Sequence, residues 1–526
     1  MNQASNSSPV WRVPLGNLAE TEEFARVLAE ELQPGDTIAL RGGLGAGKTT
    51  LARALIRTLV QDGELEVPSP TFTLIQGYDG MVRQRACPIV HADFYRLSGE
   101  QELIELGWEE LTDGAITLVE WAERAPGALP FSHLTVTLEL DLADANRRLA
   151  IVTATGNLML RLERLEATQR ILRKSGWSNA RRVPMYGDAS TRIYERLVRP
   201  NGETAILMIS PARPDGPPIR RGRSYSAIAK LAENVNAFVA VDRGLRALGF
   251  SAPKIFGEDL EAGLLVLEDL GQEPVVDENG PIPERYAEAV RLLSRLHGTV
   301  LPQVLPVADG VDHILPSYDM EALQIEVDLL LEWYVPHIAG KTLSSPAKFE
   351  FANLWTETLR EIVETTPTWT LRDFHSPNLL WLEDREDVKR LGVIDFQDAV
   401  LGHPGYDMAS LLQDARVDVS SDLELKLLGL YIRERRSADE TFDMAAFAQA
   451  YAILGAQRAT KILGIFSRLD KRDGKPQYLK HMPRIENYLR RSLSHPGLAR
   501  LKEWYDTYLP HLSLQDEAAD TGVQQS

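Results

Sequence analysis

Apolar runs and helix-period stretches alternate along the first 155 residues. Leu18 to Leu32 alternates apolar and charged residues near a period of 3.6, and Pro34-Gly35-Asp36 stops it, which predicts a helix. Thr37-Ile38-Ala39-Leu40 is a short continuous apolar run and predicts a buried strand. From Thr50 to Val60 the helical spacing of Leu51, Ala54, Leu55, Ile56 and Leu59 returns. Val67 to Leu74 reads as a turn entering a strand. Ile89 to Leu97 and Ala115 to Trp121 supply further strand-like runs. Leu134–Leu140 and Leu149–Ala154 predict a hairpin that closes a first domain, and a basic amphipathic helix begins at Leu158. The pattern places an α/β domain over residues 1–156. Beyond it, strands at Ile193–Val198, Ala205–Ile209 and Gly263–Gly271 precede mostly helical sequence, including a core helix around Phe447 to Phe466, so residues 157–512 read as an α+β domain. Residues 513–526 form a polar, acidic tail expected to be disordered.

Composition narrows this little. The 526 residues exceed one compact core and suggest roughly two to four domains. The formal net charge of −18 argues against a broad basic surface for nucleic acid. A single cysteine, Cys87, excludes an internal disulfide framework and reads as a buried small hydrophobe. No run of about eighteen apolar residues predicts a membrane span, and Met1 to Pro9 lacks a basic-then-apolar signal, so a cytoplasmic protein is expected.

The chemistry begins at Gly42-Gly43-Leu44-Gly45-Ala46-Gly47-Lys48-Thr49, which fits G-x-x-x-x-G-K-[ST] between a strand and a helix. Glycines turn backbone N–H groups toward a phosphate at a helix N-terminus. Lys48 is expected to reach the β- and γ-phosphates, and Thr49 to ligate Mg²⁺. The fold class follows as a P-loop NTPase. A nucleotide hydrolase also needs an acid at a strand end beside this loop. Glu120, ending the run Ala115–Val119, is the first candidate and Asp93 the second; either could instead be a surface carboxylate.

Together with Ser69-Pro70-Thr71-Phe72-Thr73, His91-x-Asp93-x-Tyr95-Arg96 and Val119-Glu120-Trp121, the loop makes residues 10–155 resemble the TsaE family. That family is the small ATPase of bacterial N6-threonylcarbamoyladenosine (t6A) tRNA modification. The resemblance implies that Gly42, Gly45, Ala46, Gly47, Lys48, Thr49 and Thr50 hold ATP, that Thr49 and Glu120 hold Mg²⁺, and that Trp121 lies by the nucleotide. Thr21 and Arg147 match positions near the nucleotide, and Ser69–Thr73 would act as a switch. It also implies TsaB- and TsaD-type partners that hold most of the tRNA. Gly43 departs from the family, which more often has an acid there, but the position contributes backbone.

The second domain carries other phosphoryl-transfer parts. Gly187-Asp188-Ala189-Ser190-Thr191-Arg192 leads into the hairpin at Ile193–Ile209, whose polar tip could cover ATP phosphates or be only a polar turn. Gly263–Gly271 runs into a hinge, with Glu268 and Leu270 offering backbone to adenine. Leu371-Arg372-Asp373-Phe374-His375-Ser376-Pro377-Asn378 contains D-x-x-x-x-N, and Val393-Ile394-Asp395 follows as a strand ending in an acid. Asp373 would orient or accept an attacking hydroxyl's proton, while Asn378 and Asp395 would hold Mg²⁺. With Leu265-x-Leu267-Glu268-Asp269-Leu270-Gly271 and Ile394-Asp395-Phe396-Gln397-Asp398, residues 170–500 resemble the aminoglycoside phosphotransferase (APH)-like kinases, more closely the AmgK family of cell-wall sugar kinases. The resemblance implies a two-lobed, protein-kinase-like fold. It also implies ATP-dependent phosphorylation of the anomeric hydroxyl of N-acetylmuramate or N-acetylglucosamine in peptidoglycan recycling. Ser190 and Arg192 would lie by the nucleotide.

Met208 stands where kinases at large carry a phosphate-binding lysine, which the closer family shares; Arg192 is one candidate for the missing charge, or a solvated arginine. Asp407 is expected to brace the catalytic loop. His375 reads either as a sugar or loop contact or as a packed histidine, and Glu326, Trp333 and Tyr334 as a sugar platform or an apolar helix stripe. The whole therefore reads as a bifunctional enzyme. The alternatives are an aminoglycoside or small-alcohol kinase in the second domain, or an inactive scaffold there.

Overall fold

The computed structural model describes residues 10–82, 85–97, 99–141, 144, 147–185, 192–212 and 216–513. They fall into two compact units, Met1–Arg173 and Lys174–Ser526. Among the described residues no helix is long and apolar enough to cross a membrane.

The first unit is a seven-stranded mixed sheet. Its strands are β1 (Val10–Leu15), β2 (Thr37–Arg41), β3 (Ile75–Val82), β4 (Arg85–Asp93), β5 (Ile116–Glu120), β6 (Leu134–Leu140) and β7 (Arg148–Ala154), in the order β1-β7-β6-β2-β5-β4-β3. The pairs β2/β5, β2/β6 and β4/β5 are parallel and the rest antiparallel. The central β2 is apolar along its length because both of its faces are covered. Ile38 and Leu40 join Ile116 and Leu118 in one core with the helices Leu18–Glu31 and Lys48–Val60. Ala39 and Val119 face the other way, into a smaller cluster around Phe94 and Trp108. Cys87 is a buried free thiol in the larger core. The segment 67–74 is loop and turn, and the strand begins only at Ile75. The helix Leu158–Lys174, expected to open the second domain, sends Leu158, Leu162 and Leu165 into this first core. The first compact unit accordingly runs to Arg173.

The second unit has two lobes. An antiparallel sheet of β8 (Arg181–Met185), β9 (Ile193–Val198), β10 (Thr204–Ile209), β11 (Ile255–Asp259) and β12 (Leu264–Glu268) runs in the order β11-β12-β10-β9-β8. Against it the helix Val235–Ala247 shares a core with Met208, Leu265 and Leu267. The second lobe is helical and centres on Met444–Lys471, buried at most positions from Phe447 to Ser467. Close packing there needs Gly464, since a Cβ at that position would lie 2.5 Å from the Leu329 backbone. The expected core helix is therefore present. The loop residues 187–191 and the tail from 514 lie outside the described residues, Ser190 among them.

Among the buried groups of this unit that lack a hydrogen-bond partner, one is a carboxyl. Asp242, on the helix Val235–Ala247, is 1% exposed, and neither carboxylate oxygen has a hydrogen-bond partner. Burial raises its pKa to about 7, against the pull of Arg246 and Arg243. The native state thus holds a proton that the unfolded chain releases above its ordinary value of 3.8, so stability declines as pH rises from about 4 through 7. The Asp242→Asn variant is expected to melt near the wild-type temperature at about pH 4 and increasingly above it as pH rises to about 7, with the difference levelling off beyond. Melting curves across that range check this; a constant difference at all pH values would contradict it.

Candidate functional site

In the first unit the turn from β2 into the helix Lys48–Val60 is made by residues in left-handed backbone, Gly42 (φ 139°), Gly45 (φ 78°) and Gly47 (φ 102°). Gly42 has a second constraint, because a Cβ there would lie 2.6 Å from the Leu138 carbonyl oxygen. Ala46 is buried beneath the turn and Thr50 is half-buried on the helix. Lys48 Nζ donates to the carbonyls of Gly42 (2.9 Å) and Gly43 (3.0 Å) and lies 3.8 Å from the Trp121 ring centre. Burial lowers its pKa, while Glu120, Glu123 and Asp93 oppose that shift.

Thr49 Oγ1 donates to Glu120 Oε2 at 2.9 Å, and Glu120 Oε1 lies 3.0 Å from His91 Nε2. His91 and Glu120 are both buried, on neighbouring strands β4 and β5. Asp93 sits directly across from Glu120 in that parallel register. Asp93 Oδ2 accepts from Ser69 (3.1 Å) and Thr71 (2.6 Å), and Oδ1 from the Tyr95 N–H (2.9 Å). The Ser69–Thr73 segment is thereby tied to an acid on β4, which β5 separates from the strand leading into the phosphate loop. Trp121 follows Glu120 in left-handed backbone (φ 56°), the kind of strained turn that gathers at functional sites. Two of the resemblance-based positions sit differently. Thr21 donates locally to the Asn17 carbonyl at 3.1 Å. Arg147 is exposed on the surface beside Asp144, and its neighbour Arg148 is the one that reaches the loop, Nε donating to the Ala46 carbonyl at 2.9 Å.

In the second unit Asp373, Asn378, Asp395 and Arg192 line one cavity of 1390 Å³. Asn378 Nδ2 donates to the Asp373 carbonyl at 2.9 Å, closing the catalytic loop on itself. Arg192 donates to Asp395 Oδ1 at 3.0 Å, as does the Gln397 amide at 3.0 Å. Burial, and then the charge of Asp373, push the Asp395 carboxyl up; Arg192 and Gln397 pull it back. Arg372 and Asp395 take left-handed backbone, φ 66° and 60°, at the two ends of this constellation. Met208 is 1% exposed in the apolar core, so the cation beside Asp395 comes from Arg192 across the chain rather than from β10. Glu268 lies at the end of β12 with its carboxylate accepting from the Lys254 N–H (3.0 Å) and Arg385 (2.6 Å); Leu270 beyond it is buried.

The catalytic loop is held from three sides. Asp407 accepts from the backbone N–H groups of Leu371 (2.7 Å) and Arg372 (2.8 Å), and His297 Nε2 lies 3.4 Å from it. Asp414 accepts from the N–H and hydroxyl of Ser376 at 2.8 and 2.6 Å. Arg372 pairs with Glu326 at 2.5 Å, fully buried, and Lys461 reaches the same carboxylate at 2.8 Å. Burial alone would raise Glu326, but Lys461 and Arg372 outweigh it and hold it below the ordinary range. Glu326 is therefore a buried brace, and Tyr334 is buried in the helical core, so neither forms a sugar platform. His375 is buried in the cavity wall, which pushes it down to about 4 and keeps it neutral. Because Asp407 accepts two backbone donors that Asn can satisfy only in part, Asp407→Asn is expected to cut the phosphoryl transfer expected of this unit about ten-fold or more, chiefly in kcat. Steady-state kinetics check this; a change confined to KM would contradict a loop-bracing role.

Residues 15–149 match the model of the threonylcarbamoyl adenosine biosynthesis protein TsaE, and residues 145–447 that of the phosphotransferase enzyme family APH. An N-acetylmuramate/N-acetylglucosamine kinase of Caulobacter vibrioides is 38% identical over 366 residues, covering 67% of this chain and 99% of that protein. A Rickettsia felis tRNA threonylcarbamoyladenosine biosynthesis protein TsaE is 35% identical over 154 residues, 29% of this chain and 86% of that one. The chain belongs to both families. A Pseudomonas putida N-acetylmuramate/N-acetylglucosamine kinase is a further relative of the APH unit, 33% identical over 276 residues, 52% of this chain and 77% of that protein.

Family membership makes both units enzymes that use ATP, so the fit of a metal ion matters. Among the described residues no three His, Cys, Asp or Glu side chains gather into a metal cluster. The TsaE unit offers the Thr49 hydroxyl on Glu120, with Asp93 adjacent; the APH unit offers Asp395 with the Asn378 amide. One or two carboxylates with neutral oxygen donors suit Mg²⁺, which keeps waters and phosphates as its remaining ligands. Sequence reasoning passed over His91, Arg148 and Asp414. His91 lies inside the His-x-Asp-x-Tyr-Arg motif with nothing local to mark its role, and the other two carry no local signal.

Proposed function

We propose that the TsaE unit hydrolyses ATP in support of t6A formation on tRNA, together with TsaB- and TsaD-type partners. The APH unit phosphorylates the anomeric hydroxyl of N-acetylmuramate or N-acetylglucosamine. The observation that supports the second activity best is the convergence of Asp373, Asn378, Asp395 and Arg192 on one cavity roomy enough for a nucleotide and a sugar.

In the TsaE unit the loop N–H groups and the helix N-terminus receive the phosphates, and Lys48 offsets their charge. Thr49 and Glu120 would hold Mg²⁺, which would neutralise charge on the β- and γ-oxygens. His91 fixes the Glu120 carboxylate from behind. Asp93, bound to Ser69 and Thr71, offers a means for the Ser69–Thr73 segment to respond to the nucleotide.

In the APH unit Asp373 orients the sugar hydroxyl and takes its proton as the phosphoryl group transfers. An anomeric hydroxyl is more acidic than an ordinary alcohol, so orientation does most of that work. Asn378 and Asp395 would hold Mg²⁺, and Arg192 adds positive charge at Asp395. The test is ATP consumption by the full chain against amino sugars, muramic derivatives and aminoglycosides. Turnover with N-acetylmuramate or N-acetylglucosamine is expected, and turnover with aminoglycosides alone would overturn the reading.

A further inference from the structure

The cavity that holds Asp373 is lined on its helical side by cations of the long helix Met444–Lys471 and the turn after it, among them Arg458, Lys461, Arg468 and Arg472. Most of them have a partner. Lys461 pairs with Glu326 at 2.8 Å, Arg458 donates to the Gln413 carbonyl at 3.0 Å, and Arg472 pairs with Asp473 at 2.7 Å. Arg468 differs. It is half-buried, its guanidinium lies 5.2 Å from the Tyr225 ring centre, and its Nε has no hydrogen-bond partner. Among the described residues no carboxylate lies within ion-pair distance of it; Asp473 and Glu332 act on its charge only from farther away. It stands seven residues after Lys461, two helical turns along the same face, and so looks into the same cavity.

A guanidinium resting on an aromatic ring, with its fork unpaired and its surroundings partly dry, is a receptor for a carboxylate: planar, always charged and able to donate twice. This step rests on the amino-sugar reading above. Of the two sugars in that reading, N-acetylmuramate carries a lactyl carboxylate and N-acetylglucosamine is neutral, so one anionic group distinguishes them. We propose that Arg468 binds the carboxylate of an acidic amino sugar and sets the preference of the APH unit for N-acetylmuramate over N-acetylglucosamine.

The experiment measures kcat and KM of the full chain, wild type, Arg468→Gln and Arg468→Lys, for N-acetylmuramate, its methyl ester, N-acetylglucosamine and ATP. A charge-assisted pair of this kind is worth about ten- to a hundred-fold. Arg468→Gln should lower the N-acetylmuramate to N-acetylglucosamine selectivity ratio by that factor, through the KM of the acidic sugar, with Arg468→Lys recovering part of it. Esterification should cost the wild type a similar factor and the Gln variant little, because ester and substitution remove one interaction. An unchanged selectivity ratio would overturn the proposal. So would an equal loss for both sugars, or a loss appearing as a raised KM for ATP, since those place Arg468 in folding or nucleotide binding. If the wild type turns over neither sugar, the parent reading fails first and this one with it.

Discussion

Asp373→Asn is expected to lower kcat for sugar phosphorylation by about 10²- to 10⁴-fold, while ATP hydrolysis by the TsaE unit persists. Asn keeps the size of the side chain and loses the proton acceptor. The loop should hold its shape, because its braces come from elsewhere: Asp407 on the Leu371 and Arg372 N–H groups, Asp414 on Ser376, Glu326 on Arg372. The Asn378 amide bonds the Asp373 backbone carbonyl and not its carboxylate, so the substitution leaves that bond in place. The neighbouring Asp395 also loses a negative charge that helps to raise its pKa, which should shift the acidic limb of any residual activity to lower pH. Single-turnover kinetics with N-acetylmuramate measure the loss. An Asp373→Asn enzyme within ten-fold of wild type would mean that another group takes the proton.

Lys48→Ala is expected to remove t6A support and to lower ATP hydrolysis by the TsaE unit at least about 100-fold, the scale for deleting one positioned donor to a developing anion. Sugar phosphorylation should stay near wild type. The lysine is the one cation the loop itself carries, and in this structure Gly42, Gly43 and the Trp121 face hold its ammonium at the loop. Lys48→Arg tests for geometry: its longer, planar head does not fit between the two carbonyls and the ring, so rescue should be poor. t6A is read by mass spectrometry of tRNA nucleosides from cells that depend on this chain for it. Equal loss of both activities in Lys48→Ala would contradict two separate sites.

The parts of this molecule legible in the sequence are those whose chemistry is local. The phosphate loop states its own geometry in eight residues, and Asp373 and Asn378 share one loop. Apolar runs gave away β2 and β5, since strands covered on both faces read as continuous apolar sequence. What was not legible depends on distant partners or on one residue of register. Glu326 pairs with Arg372 across 46 positions, and nothing near either residue marks the pair. Arg147 and Arg148 are equal in composition, yet Arg147 stays in the exposed turn before β7 while Arg148 opens the strand and reaches the loop. The edge strand β1 contains Pro14 and follows a polar stretch, which hides it as a strand although an edge tolerates a proline. The helix Leu158–Lys174 reads as the start of a new domain because it follows the closing hairpin and Gly156 with no linker to fix the boundary, and only its packing shows which core it serves. Met208 reads as a missing lysine; the structure shows an apolar core position there, and a cation, Arg192, beside Asp395.

The most direct measurement is the proton and phosphorus-31 NMR spectrum of the product made by the full chain from ATP and N-acetylmuramate. A phosphate on the anomeric oxygen adds a phosphorus coupling to the H1 resonance and none to the H6 resonances. That spectrum, present with wild type and with Lys48→Ala and absent with Asp373→Asn, is the result expected. Phosphorus coupling at C6, or no sugar phosphate from the wild type, would contradict the account.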